Sequence, residues 1–98
     1  VSIKHYDDRK HVQMTGVSNV AIIENIKYAA QIIPDIKAFI MINKGKNDSL
    51  CDARGYADLL KECGIKKLIL KTYDCKSLTY YAEVFAMKGI EVEVVSVT

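Results

Sequence analysis

Two short segments carry the side chains best suited to holding an anion. Lys44-Gly45-Lys46-Asn47-Asp48-Ser49 and Lys71-Thr72-Tyr73-Asp74-Cys75 each bring lysine to a stretch that leads into a helical pattern. The first backbone N–H groups of a helix lack partners within it, and the peptide dipoles add positive potential, so a phosphate or carboxylate is favoured there. Lys44, Lys46, Lys71 and Ser49 are therefore the candidate anion-binding residues, with Asp48, Asp52, Arg54 and Asp74 available as partner-binding or capping groups. KGKNDS is not a P-loop, because GxxxxGK[ST] is absent. The plainer reading of such lysines is a solvated surface loop.

Cys51 and Cys75 fall near the starts of two expected helices, where a thiolate is stabilised, and are the candidate reactive thiols. The plainer reading is a small thiol on a helix stripe, and Cys63 fits that reading outright. The three cysteines are twelve residues apart, which supplies no close ligand pair for a metal, so no metal site is expected. His5 and His11 stand in the N-terminal segment, away from the cysteines in sequence. Asp7 with Asp8, and Asp48 with Asp52, read as turn and cap residues before they read as catalytic carboxylate pairs. Tyr73, Tyr80 and Tyr81 cluster about the third expected helix, where an exposed one could anchor a partner.

The totals narrow the classes. Ninety-eight residues, half of them apolar, fit one domain with one core (residues 1–98) and argue against disorder. Fourteen basic and 12 acidic residues give a net charge of +2 without a block of like charge, which speaks against a nucleic-acid arm. The apolar runs are strand-length, far below the roughly 18 residues of a membrane span. An odd number of cysteines without a CxxC pair points to a reducing, cytoplasmic setting. The chain starts at Val1, which is read as a trimmed start, and no signal-peptide pattern is visible there.

The elements that position these residues alternate. Val1 to Tyr6 and His11 to Gly16 read as two short strands of a β-hairpin around Asp7-Asp8-Arg9. From Ser18 or Asn19, both good N-caps, Ile22, Ile23, Ile26, Ala29, Ala30 and Ile33 recur at helical spacing until Pro34. Ile36 to Ile42 is a buried strand. A helix follows from Asp48 or Ser49, with Leu50, Ala53, Ala57, Leu60 and Cys63 as its stripe and Gly64 after its end. Ile65 to Leu70 is a second buried strand, and Asp74 caps a third helix whose inward face is Leu78, Ala82 and Phe85. Ile90 to Val97 alternates with Glu91 and Glu93, as a strand with one wet face near a sheet edge would. The class is α/β: an N-terminal hairpin, then βαβαβαβ, with a mostly parallel sheet flanked by three helices.

From His11 onward the order and lengths of these elements resemble the STAS domain of anti-sigma-factor antagonists. In that family a central strand ends in Asp-Ser-Ser-Gly and a helix follows; here FIMINKGKN is followed by Asp48-Ser49-Leu50-Cys51. The resemblance implies a non-enzymatic regulatory or scaffolding module that binds a partner protein through this loop and helix start, with Leu50 in place of the phosphorylated serine. VAIIENIKYAA is also similar to the HAExNAIxxAA helix of zinc-dependent cytidine deaminases, and GIKKLILKTYD with GIEVEVV to their later strands. Val20 stands at the ligand histidine, Ile22 at the proton-shuttling glutamate, and PCxxC is missing, so that likeness implies a chemically inactive relative. The expectation is accordingly a protein that is not an enzyme, needs no cofactor, and binds a protein partner or a second copy of itself. The alternative is a domain that binds a small anionic ligand or nucleotide, as a subunit of a larger enzyme.

Overall fold

The computed structural model describes residues 1–73 and 78–97. Helix α1 spans Asp8–Thr15, α2 Val20–Ile32, α3 Leu50–Cys63 and α4 Thr79–Met87; strand β1 spans Lys37–Met41, β2 Lys67–Thr72 and β3 Glu91–Ser96. The α/β class and the single compact body stand as expected. Among the described residues four helices, not three, accompany the sheet.

The strands lie in the order β1-β2-β3, every pair parallel. Phe39 pairs with Ile69, and Ile69 with Glu93. Residues 1–3 add a short parallel stretch outside β1: Phe39 N–H donates to the Val1 carbonyl at 2.7 Å, and Ile3 N–H to the Phe39 carbonyl at 3.0 Å. When parallel strands follow one another in sequence order, right-handed crossovers put every helix on the same face. Burial agrees with this. Ala38, Ile40, Ile42, Leu68 and Leu70 are buried beneath the helices, while Lys37, Phe39, Met41, Ile69, Lys71 and Glu93 alternate onto a more open face. Helix α3 packs between α2 and α4 and carries the largest share of the core, with Tyr56, Ala57 and Leu60 fully covered.

The helix boundaries follow from local chemistry. Ser49 Oγ accepts from Asp52 N–H and Asp52 Oδ2 accepts from Ser49 N–H, a reciprocal capping box at the start of α3. Pro34 forces Ile33 to φ −97°, ψ 110°, and α2 ends there. Asn19 occupies the cap position of α2, but its side chain donates instead to the Tyr6 carbonyl at 3.1 Å.

The expected N-terminal hairpin is not formed, because residues 8–15 are helical. Asp7 accepts from Lys10 N–H, Asp8 sits in the first turn, and Gly16 at φ 82° closes the end in a conformation that costs glycine little. In the helix Val12 and Met14 are exposed, and His11 is the buried residue of α1. The capping expected of Asp74 lies outside the described residues.

Candidate functional site

In a parallel sheet, ligands meet the loops beyond the carboxyl ends of the strands. The loop after β1 is held rigid there by a residue that spacing did not single out. Asn47 is 2% exposed. Its Nδ2 donates to the Met41 carbonyl at 2.9 Å and to Tyr56 Oη at 3.1 Å, while its Oδ1 accepts from Asn43 N–H at 2.7 Å. Its carbonyl accepts from Tyr81 Oη at 2.9 Å, and the Asp48 carbonyl accepts from Tyr80 Oη. Asp48 Oδ1 accepts from Gly45 N–H at 3.1 Å. Three tyrosines from two helices thus fix the loop before anything binds. Burial pushes the Tyr56 hydroxyl up to about 12 and raises Tyr81 further, so both remain neutral donors.

The helix start beside this loop is tied down as firmly. Asp52 Oδ1 accepts from Tyr6 Oη at 2.7 Å, and Oδ2 accepts from Ser49 Oγ at 2.8 Å. Burial opposes the charge on Asp52, but the hydrogen bonds from Tyr6 and Ser49 and the Lys10 charge outweigh it and hold the carboxyl below its ordinary value. The same burial and contact with Asp52 raise the Tyr6 hydroxyl.

Between the loop and β2 lies a cleft of about 320 Å³, lined by Asn43, Lys44, Asp48, Thr72, Tyr73 and Tyr80 among others. Lys44 and Asp48 from the expected set are brought together here, with Lys46 exposed on the same loop. Ser49 and Asp52 are engaged in the capping box. Arg54 lines a separate groove of about 370 Å³ between α3 and α4, with Asp58 and Glu83. Lys71 lies on the open sheet face, its Nζ 5.3 Å from the centre of the Phe39 ring. Cys51 is exposed in the first turn of α3, whereas Cys63 is buried, which pushes its thiol up. Asp74 and Cys75 lie outside the described residues. Tyr80 and Tyr81 were visible as a cluster in the sequence; nothing local distinguished Asn47 or Tyr6.

Among the described residues no group of three or more His, Cys, Asp or Glu side chains is placed to hold a metal ion. None of their helices is long and apolar enough to cross a membrane.

No family model matches the chain. It is 31% identical over 81 residues to the isethionate sulfite-lyase activating enzyme of Nitratidesulfovibrio vulgaris, which covers 81% of this chain and 26% of that protein. It is 39% identical over 70 residues to the enzyme of the same description in Oleidesulfovibrio alaskensis, covering 69% of this chain and 23% of that protein. A choline trimethylamine-lyase activating enzyme of Oleidesulfovibrio alaskensis is 32% identical over 59 residues, 60% of this chain and 19% of its own length. The fold is similar to a domain of pyruvate-formate lyase-activating enzyme from Bacteroides vulgatus, with a TM-score of 0.76 at 18% identity over 96% of this chain and 64% of that one.

These relatives overturn the likeness to STAS domains and to cytidine deaminases, and with it the expectation of a non-enzymatic regulatory or scaffolding module. The reason is local: Asp48-Ser49 matches the start of a recognition motif in sequence, but Ser49 is the N-cap of α3 and Asp48 closes a turn onto Gly45. The chain spans about a quarter of the length of the curated relatives it matches, and the proteins it resembles across that span are lyase-activating enzymes.

Proposed function

We propose that this chain is a segment of a lyase-activating enzyme of the radical S-adenosylmethionine class. The observation that supports it is the 31% identity over 81 residues to an isethionate sulfite-lyase activating enzyme, carried on a sequentially wound parallel sheet. In this reading the protein partner is a lyase polypeptide. The loop 43–49 forms the rigid contact, and the cleft beside it takes an anionic group through Lys44, with Lys46 at its rim. Lys71 extends the positive charge onto the open sheet face, whereas Arg54 lies in the α3–α4 groove beside Asp58 and Glu83.

An iron–sulfur cluster does not fit the described residues. Cys51 is exposed at one end of α3 and Cys63 buried at the other, about 18 Å apart along a helix rising 1.5 Å per residue. Any such cluster is held by other parts of the longer protein, and this segment contributes binding surface and positioning.

The reading is tested by a chimera in which this sequence replaces the matching stretch of the Nitratidesulfovibrio vulgaris activating enzyme. Activation of the lyase, with a melting temperature close to the parent's, is the expected result. A chimera that folds as the parent does and activates nothing overturns the reading.

A further inference from the structure

His5 is a buried histidine that the proposed site does not use. It is 3% exposed, and its Nδ1 accepts from Asp7 N–H at 3.0 Å. The single ring proton of the neutral form therefore sits on Nε2, which is buried without a hydrogen-bond partner among the described residues. The ring stacks on Tyr6 with centroids 4.6 Å apart and lies 5.7 Å from the Tyr56 ring. The charged and titratable groups that face it are Lys10, His11 and Asp7 from α1 and its cap, and Asp52 from α3.

A second proton has only Nδ1 to go to, and Nδ1 already faces an N–H donor. Protonation must break the Asp7 bond and turn the ring. That ring lies between two of the contacts that fasten residues 1–7 to the rest of the fold, others being the pairing of Val1 and Ile3 with Phe39, Tyr56 Oη on the Lys4 carbonyl and Asn19 Nδ2 on the His5 and Tyr6 carbonyls. On one side the Tyr6 hydroxyl reaches Asp52; on the other, the Asp7 side chain caps α1. We propose that residues 1–7 form a pH-sensitive strap, fastened while His5 is neutral and released from β1 and α3 when His5 becomes doubly protonated.

The direction follows by linkage. Burial and then the Lys10 charge hold fastened His5 below its ordinary value of 6.5, with Asp52 and Asp7 opposing in part. The released strap binds the proton at the ordinary value, so fastening is complete above pH 6.5 and is lost as pH falls below it.

Amide hydrogen exchange at pH 7.5 and pH 5, corrected for intrinsic rates, tests this on the chain and on His5→Asn. Asparagine keeps an acceptor for Asp7 N–H and does not titrate. Protection of the Ile3 and Asp7 amides should fall about tenfold in the parent at pH 5 and stay unchanged in His5→Asn, with the Leu68 to Leu70 amides steady in both. Unchanged protection in the parent, or an equal loss in the variant, overturns the proposal. Should His5→Asn fail to fold, NMR titration of the parent's His5 ring decides. A value at or above 6.5 sinks the strap, and a value below it that coincides with loss of Ile3 protection supports it.

Discussion

Tyr6 Oη donates to Asp52 Oδ1 at 2.7 Å across 46 residues of sequence, and the same Tyr6 ring packs against Gly55 one turn further along α3. The first segment of the chain is thereby pinned to the helix start that frames the candidate site. Removing only the hydroxyl isolates that link. Tyr6→Phe should cost about 1–3 kcal/mol, because it withdraws a hydrogen bond from a covered carboxylate, as read from urea unfolding at pH 7.

Gly55 is required by the ring that covers it. A Cβ there would meet Tyr6 Cε2 at 2.2 Å, and the ring cannot withdraw without losing Asp52. Gly55→Ala should destabilise by about 1–3 kcal/mol although alanine favours helix. In a Tyr6→Ala background the same change should be neutral or stabilising; equal costs in both backgrounds would show that the clash is not the cause.

Asn47 holds the loop after β1 through bonds to Met41, Tyr56 and Asn43. Asn47→Ala should lower stability by about 2–3 kcal/mol, since it leaves covered backbone groups unpaired. It should also speed exchange of the Asn43 amide well beyond that of the β2 amides.

The carboxyl of Asp52 is held below its ordinary 3.8 in the folded protein. Its contribution to stability is thus full above that value and is lost as pH falls through the folded value. Asp52→Asn should therefore be less stable than the parent near neutrality, and the gap should narrow below pH 3.8. A constant gap across the acid limb would place the effect in shape and not in charge.

The anion reading of the cleft makes a separate prediction. Addition of inorganic pyrophosphate should shift the amide resonances of Lys44, Lys46 and Tyr80, and Lys44→Ala should weaken the apparent affinity by about tenfold, roughly 1.4 kcal/mol. Shifts of equal size in Lys44→Ala would remove Lys44 from the site.

Much of the scaffold was legible from neighbours in sequence. IKAFIMI and the Leu68-Ile69-Leu70 stretch are apolar runs of strand length, and they lie in β1 and β2, though with one face under the helices and the other open where burial on both faces is expected. Ser49, Asp52 and Gly64 mark both ends of α3, and Pro34 stops α2, because capping and proline sterics act within four residues. The segment 8–15 is short and largely polar, so its periodicity says little and does not distinguish helix from strand. Its conformation is chosen by Asp7 at one end, Gly16 at the other, and Asp8 Oδ1 accepting from Ser18 and Asn19.

What the sequence determined alone is the alternation of elements and the side chains that end them, since those depend on contacts a few residues apart. The tertiary structure decided which of the candidate groups share a site. It set Lys44 with Tyr80 and Thr72 in one cleft, sent Lys71 to the other sheet face by strand alternation, and engaged Asp52 with Tyr6. Pairings such as Tyr6 with Gly55, or Asn47 with Tyr56 and Tyr81, join elements distant in sequence. No local pattern encodes them, because they exist only once the sheet has set the helices side by side.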